Sequence, residues 1–335
     1  MTHGRAVSRR AYAKLNLMLS VGPAEPAGSS RAGWHPIASW MAPVNLWDDV
    51  TVTPDPACGW SVEWAPDAPR AGTVDWAQSS DLASRAIAAL EQHLGQPLRC
   101  SVRIVKRIPT GGGLGGGSAD AAAALLAARE AFGLSVSTSV LAQVGSTVGS
   151  DVPFFLDDAT PPRPALVSGF GDTLERVPIK RGEVVLIFPG EACSTPEVYR
   201  AFDQIAADED ERRRRAHAVE TAAREIRGEA AGLPPQPHRV RRELIERRMT
   251  KMAAGVESEL LFNDLAPAAL HVRPVLAGLL TDLRRTLREP VHVTGSGSTL
   301  FVVTRDAPRT AEKARRLADR YPGLAVVATS LAGDA

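Results

Sequence analysis

The sequence predicts an α+β protein of two domains, and three observations carry that expectation. The chain has 335 residues, enough for about two cores at the usual ~150 residues each. Strand-like runs precede helical ones in the first half, and strands alternate with helical stretches in the second. Between the halves lies ATPPRP (159–164), a proline-rich break of the kind found between domains. The expected division is therefore 1–160 and 161–335.

Each element follows from its local pattern. SRRAYAKLNLMLSV (8–21) partly alternates, and HPIASWMAPV, DDVTVTP and WSVEWA follow between turn-rich segments, so the first 65 residues read mostly as strands. DLASRAIAALEQHL (81–94) has helical apolar spacing behind Ser79, Ser80 and Asp81 as candidate caps. LRCSVRIVKRIP (98–109) reads as a strand ending at Pro109. A helix is expected from about Ser118, another over 137–149, and an extended segment from Asp151-VPFFL. Beyond the proline-rich break, EVVLIFPG, VHVTGSG, TLFVVTR and LAVVATS read as strands, with helices near 195–207, 258–288 and 307–320. Residues 208–257 differ in composition: Arg212 to Arg215 run together, and GLPPQPHRVRREL interrupts two charged helical stretches. The expectation is a solvated helical insertion, with an RNA-binding arm as the alternative, disfavoured because aromatics are absent.

Composition narrows the function. Lys plus Arg number 39 and Asp plus Glu 38, so there is no overall charge with which to grip nucleic acid or an anionic membrane. No apolar run approaches the ~18 residues needed to span a bilayer, and MTHGRAVSRRAYAKLNL lacks the apolar stretch of a signal peptide. Cys58, Cys100 and Cys193 are odd in number, far apart and without metal-ligand spacing, which argues against a disulfide framework or a zinc site. The expected partner is a small molecule and the expected location a reducing cytoplasm, for a monomer or a homodimer.

The informative segment is Gly111 to Gly117 (GGGLGGG), which holds six of the 28 glycines between a strand and a helix. Glycine lets main-chain N–H groups approach a ligand closely, and the helix start adds unpaired donors and a positive dipole end, so the segment reads as a polyphosphate cradle. A Walker A loop is excluded, because Ser118 follows Gly117 with no lysine. Gly111, Gly113 and Gly116 satisfy GxGxxG, but helix continues where a dinucleotide fold needs a second strand ending in an acidic residue.

Pro109-T-G-G-G-L-G-G-G-S-A-D-A-A (109–122) resembles the signature of the galactokinase, homoserine, mevalonate and phosphomevalonate kinase superfamily. The triple glycine before Ser118 is more narrowly similar to the 4-diphosphocytidyl-2-C-methyl-D-erythritol kinases of the non-mevalonate isoprenoid pathway. Ala11-Y-A-K-L-N-L17, Gly33-W-H35, Gly149-S-D-V-P-F-F155, Ser194-T-P-E-V-Y199, Phe262-N-D-L265 and Thr294-G-S-G297 stand in that family's order. The resemblance implies an N-terminal domain like domain 2 of ribosomal protein S5 and a ferredoxin-like C-terminal domain. It implies ATP-dependent phosphorylation of the substrate's 2-hydroxyl, with ATP and Mg²⁺ as cofactors.

Residue by residue, the resemblance makes Asp151 the base and Lys14 its cationic partner. ATP would lie over Pro109, Thr110, Gly111, Gly112, Gly113, Leu114, Gly115, Gly116, Gly117, Ser118 and Ala119. Asp81 stands where the family carries Asn near the adenine, offering acceptors only. Trp34 would stack on cytosine and His35 hydrogen-bond it, with Tyr199 a second aromatic nearby and Asn16 and Thr195 on the erythritol and phosphate portion. Ser118 is a candidate Mg²⁺ ligand or a helix cap, and Asp120 a first-turn dipole partner. Another kinase of the superfamily, or a non-catalytic ligand-binding paralogue, remains the alternative.

Overall fold

Strand β1 (Val7–Val21) and strand β2 (Ile37–Pro54) form the long antiparallel pair around which the first sheet is built. The computed structural model describes residues 5–209, 240–252 and 254–333. β2 is long enough to take different partners along its length. Its second half pairs with β4 (Cys100–Lys106), which carries β3 (Trp60–Trp64) in parallel, and its first half pairs with β5 (Ala165–Gly169), which carries β6 (Thr173–Arg176). On the far side, β1 takes a two-residue parallel partner, β8 (Phe262–Asn263). The first sheet thus continues beyond the proline-rich 159–164 segment. A second, antiparallel sheet runs in the order β11 (Ala325–Ser330), β7 (Glu183–Phe188), β10 (Leu300–Thr304), β9 (His292–Val293).

The layering follows from which side chains each strand buries. Leu15 and Leu17 of β1 pack with Val184, Leu186 and Phe188 of β7 and with Phe301 of β10, so the sheets share one core. The odd-numbered residues of β7, Val185 and Ile187, point the other way. They meet α5 (195–209), α7 (Ala266–Val272), α8 (Pro274–Leu287) and α9 (Ala307–Arg320). A strand covered on both faces has no polar side, which is why EVVLIF is a continuous apolar run. The outer face of the first sheet is covered by α1 (Leu82–Leu94), α2 (Gly116–Ala131), α3 (Thr138–Ser146) and α4 (Val152–Phe155). Among the described residues no helix is long and apolar enough to cross a membrane.

Two expectations are corrected here. VPFFL opens as a helical turn and not as a strand: Pro153 sits in the first turn, where a missing N–H costs nothing, and Val152, Phe154 and Phe155 are buried. The 208–257 segment is not solvated throughout. Residues 210–239 and 253 lie outside the described residues, but α6 (Arg242–Lys251) buries Ile245, and Met252 follows it into the core shared by the two sheets. Flanking arginines fasten it: Arg241 N donates to Ser20 Oγ (3.0 Å), and Arg242 reaches Glu175 (2.7 Å) and Ser168 Oγ (3.1 Å).

Candidate active site

Alternation along β1 puts Lys14 and Asn16 on one face, in a stretch bounded by register shifts at Tyr12/Ala13 and Asn16/Met18. Lys14 is 4% exposed. Its Nζ donates to Asn16 Oδ1 (2.6 Å) and Gly113 O (3.1 Å), and stands 3.4 Å from Asp151 Oδ2. Asp151, at the start of α4, is half-buried, so the two residues separated in sequence meet as an ion pair. Asn16 is itself fixed, its Nδ2 donating to Ser39 Oγ (2.8 Å) and its backbone N–H to Thr294 Oγ1 (3.0 Å).

The glycine loop joins β4 to α2. Gly111, Gly113 and Gly115 have positive φ, and Gly115 serves as the N-cap of α2 without any side-chain cap, leaving first-turn N–H groups unpaired. Ser118, in that first turn, is therefore not the cap, and it lines the cleft. The loop is moulded against distant chain. An ideal Cβ on Gly113 would lie 2.5 Å from Thr294 O and 2.9 Å from Gly297 O. Thr299 N donates to Gly112 O (3.2 Å), and Cys193 N to Gly111 O (3.4 Å).

Beneath the loop lies a buried charge cluster that sequence reasoning missed. Lys106 Nζ donates to Asp48 and to Asp120 (2.6 Å), and Asp48 Oδ1 also accepts from the backbone N–H groups of Arg107 and Ile108 (2.8 Å). Asp120 is thus an ion-pair partner and more than a dipole partner. Burial pushes its carboxyl well above the usual range although Lys106 pulls it down, and the same two carboxylates raise Lys106. Asp120 Oδ1 has no hydrogen-bond partner among the described residues. The signal was present in β4, where Cys100, Val102 and Ile104 alternate inward and Lys106 continues the inward series.

Two cavities flank the loop. One of about 370 Å³ is lined by Pro109, Thr110, Gly111 to Gly117, Asp81, Lys106 and Asp120. The other, about 690 Å³, is lined by Lys14, Asn16, Trp34, His35, Ser118, Asp151, Thr195 and Tyr199 among others. Gly111, Gly113 and Gly115 to Gly117 line both, so the glycine loop is their common wall. Ala119 lines neither and packs into the core. Asp81 caps α1 by accepting from Ser84 N (3.0 Å) and also accepts from Trp76 Nε1 (3.3 Å).

At the far end of the larger cleft Trp34 is 56% exposed, while Trp40 is fully buried and Trp76 bonds Asp81, so the tryptophans do not form one cluster. His35 lies 4.9 Å from Tyr199 and 5.8 Å from Phe202 between ring centroids. Its Nδ1 donates to Gly22 O (2.9 Å), and Nε2 stands 3.4 Å from the half-exposed carboxylate of Asp203. Burial, with Asp151 nearby, pushes the Tyr199 hydroxyl up to about 12, which keeps it a neutral donor at ordinary pH. Thr195 Oγ1 and Ser296 Oγ, 2.9 Å apart, bridge the start of α5 to the β9–β10 turn.

Back-to-back sheets with a glycine loop between two cavities define the class, that of GHMP small-molecule kinases. The family model "GHMP kinases N terminal domain" matches residues 81–158, which span α1 to α4. The fold is that of the L. major mevalonate kinase crystallised with R-mevalonate, at a TM-score of 0.66 and 13% identity over 99% of this chain and 98% of that one. Sequence similarity is more specific. A 4-diphosphocytidyl-2-C-methyl-D-erythritol kinase of Paenarthrobacter aurescens (strain TC1) is 32% identical over 327 residues, covering 95% of this chain and 92% of that protein. A kinase of the same name from Streptomyces coelicolor is 32% identical over 304 residues, 90% of this chain and 89% of that protein. A crystal structure of 4-(cytidine 5'-diphospho)-2C-methyl-D-erythritol kinase aligns at 28% identity and a TM-score of 0.64 over 98% of this chain and all of that one. The chain belongs to the 4-diphosphocytidyl-2-C-methyl-D-erythritol kinase family.

Proposed function

We propose that the protein transfers the γ-phosphoryl group of ATP to the 2-hydroxyl of 4-diphosphocytidyl-2-C-methyl-D-erythritol. The observation that carries this reading is the shared wall: a glycine loop with one cavity for a nucleotide and, on its other side, a cleft holding Lys14 and Asp151. The loop fits a triphosphate, since its glycines let the backbone pack against the chain behind it while it walls both cavities, and the start of α2 offers unpaired N–H groups. Mg²⁺ fits the Ser118 hydroxyl in the cleft that Asp151 also lines, in keeping with a cation bound mainly through nucleotide phosphates and water. When bound it neutralises phosphate charge.

Asp151 Oδ2 accepts the proton of the 2-hydroxyl as the new O–P bond forms and the bond to the departing ADP breaks. Lys14 pairs with Asp151 and draws in the phosphoryl oxygens, and its own position is held by Asn16 and Gly113. Trp34 stacks on the cytosine with Tyr199 nearby, His35 addresses the base, and Thr195 and Asn16 face the erythritol and phosphate portion. Asp81 borders the adenine.

The test is ADP release by purified protein with the cytidylyl substrate, with methylerythritol phosphate lacking the cytidylyl group, with mevalonate and with homoserine. The expected result is turnover with the first alone. Equal rates with and without the cytidylyl group, or preference for mevalonate or homoserine, would overturn the reading.

A further inference from the structure

Residues 22–36, between β1 and β2, form a loop whose limbs are tied to each other. Gly22 N donates to Pro36 O (2.8 Å), Glu25 N to Trp34 O (2.8 Å) and Gly33 N to Glu25 O (3.0 Å), and the His35 ring closes the neck on Gly22 O. Trp34 and His35 ride on the returning limb, so their place in the cleft is the place of the loop. The tip buries no apolar side chain of its own, since Pro26, Ala27 and Ala32 are exposed. What reaches outward from it is Arg31.

Arg31 crosses to the β5–β6 turn. Its guanidinium lies over the Phe170 ring, 4.4 Å from the centroid, and Nη1 is 2.9 Å from Asp172 Oδ2. Asp172 uses its other oxygen to accept from Phe170 N (3.0 Å), and the turn bends at Gly169 and Gly171, both with positive φ. One carboxylate therefore both shapes the turn and holds the arginine. The sheet sets the two segments side by side, because Ile37, where the loop re-enters β2, pairs with Gly169, where the turn leaves β5. Phe170 and Gly171 line the same cleft as Trp34 and His35.

We propose that Arg31, Phe170 and Asp172 form a clasp that holds the 22–36 loop against the cytidylyl end of the cleft, making Arg31 and Asp172 positioning residues for Trp34 and His35. The inference rests on the reading that Trp34 and His35 receive the cytosine. A planar guanidinium is suited to this, since it stacks on an aromatic face and pairs with a carboxylate at once, which an ammonium cannot reproduce. Both charges are partly exposed, so the clasp is weak enough to open for substrate entry and is sensitive to salt.

The experiment compares the full-length wild type with Arg31→Ala, Arg31→Lys, Asp172→Asn and the Arg31→Ala/Asp172→Asn double variant. Asparagine keeps an acceptor for Phe170 N. Each single loss should raise KM for the cytidylyl substrate about fivefold, with kcat and KM for ATP within about twofold. The double variant should be no worse than the singles, because both remove one shared interaction, and Arg31→Lys should fall between. Amide hydrogen exchange at Glu25 and Gly33 should accelerate in Arg31→Ala. Unchanged exchange would show that there is no clasp, and faster exchange with unchanged KM would show that the clasp does not serve the substrate; either overturns the proposal. Because exchange is read without turnover, it judges the clasp even if the cytidylyl substrate proves to be wrong.

Discussion

Replacing Asp151 by Asn separates chemistry from architecture. The side chain keeps its shape and an oxygen toward Lys14, but it loses the negative charge and the ability to take a proton. Lys14 is not orphaned by the change, because its ammonium retains Asn16 Oδ1 at 2.6 Å and Gly113 O at 3.1 Å. The lost ion pair spans 3.4 Å with the Asp151 side chain 29% exposed, so screening limits its worth to about 1 kcal/mol. That corresponds to a fall in Tm of about 1–3 °C for a chain of this size. Removal of a general base, by contrast, costs about 10²- to 10⁴-fold in turnover, or about 3–5 kcal/mol in the barrier. The expected outcome is a folded protein that still binds ATP and has lost most of its kcat. ADP release at saturating substrates, paired with calorimetric ATP binding and a thermal melt, measures all three quantities. Turnover within about threefold of wild type, in a variant with the expected melt, would refute the assignment of Asp151 as base.

Three further outcomes follow from the geometry. Ile245→Ala should destabilise the protein by about 2–5 kcal/mol, read from the urea midpoint, because α6 inserts this side chain into the core between the sheets; a loss below about 1 kcal/mol would return α6 to the surface. Burial, helped by the Arg284 guanidinium and opposed by the Ser258 hydrogen bond, pushes His292 down to about 4. The unfolded chain therefore takes up the proton first, and stability should fall as pH drops from about 6.5 toward 4 and then level off, by at most about 3 kcal/mol. His292→Gln should remove that part of the slope in melts across this window. Asp81→Asn keeps an acceptor for Ser84 N but turns its amide nitrogen toward Trp76 Nε1, so it should cost about 1 kcal/mol of stability while the ratio of kcat/KM for ATP over GTP rises severalfold; an unchanged ratio would remove Asp81 from base selection.

What was legible in the sequence was whatever local pattern dictates. The buried run of β7, the Asp81 cap of α1 and the glycine loop between β4 and α2 each announce themselves within a few residues. The loop's neighbours announce nothing of the kind. Asp48, Lys106 and Asp120 come from β2, β4 and α2, and only the inward alternation of β4 could have marked Lys106 as buried. β8 is two residues long, below the reach of any periodicity, yet it sets Asn263 to donate to Val293 O and Gly295 O (2.8 Å each). In α6 the charged composition concealed the docking face, although Ile245, Met249 and Met252 stand at i, i+4 and i+7 and all join the core between the sheets. The site residues taken from family resemblance fall on the two cavities, with Ala119 the exception, because motif order preserves position even where local pattern is silent.

The moulding of the glycine loop by residues 294–299 has a consequence for biosynthesis. Gly111, Gly112 and Gly113 owe their shape to carbonyls and amides supplied by Cys193, Thr294, Gly297 and Thr299. A nascent chain that has emerged only as far as α4 already contains Lys14, Asp151 and every glycine of the loop, yet it lacks the surface on which the loop is cast. The shape the loop has in the folded protein is therefore available only once the β9–β10 turn has been made and packs on it. The segment that completes the loop also carries Ser296, which meets Thr195 at the start of α5, so one late-made turn shapes the loop and lines the larger cleft.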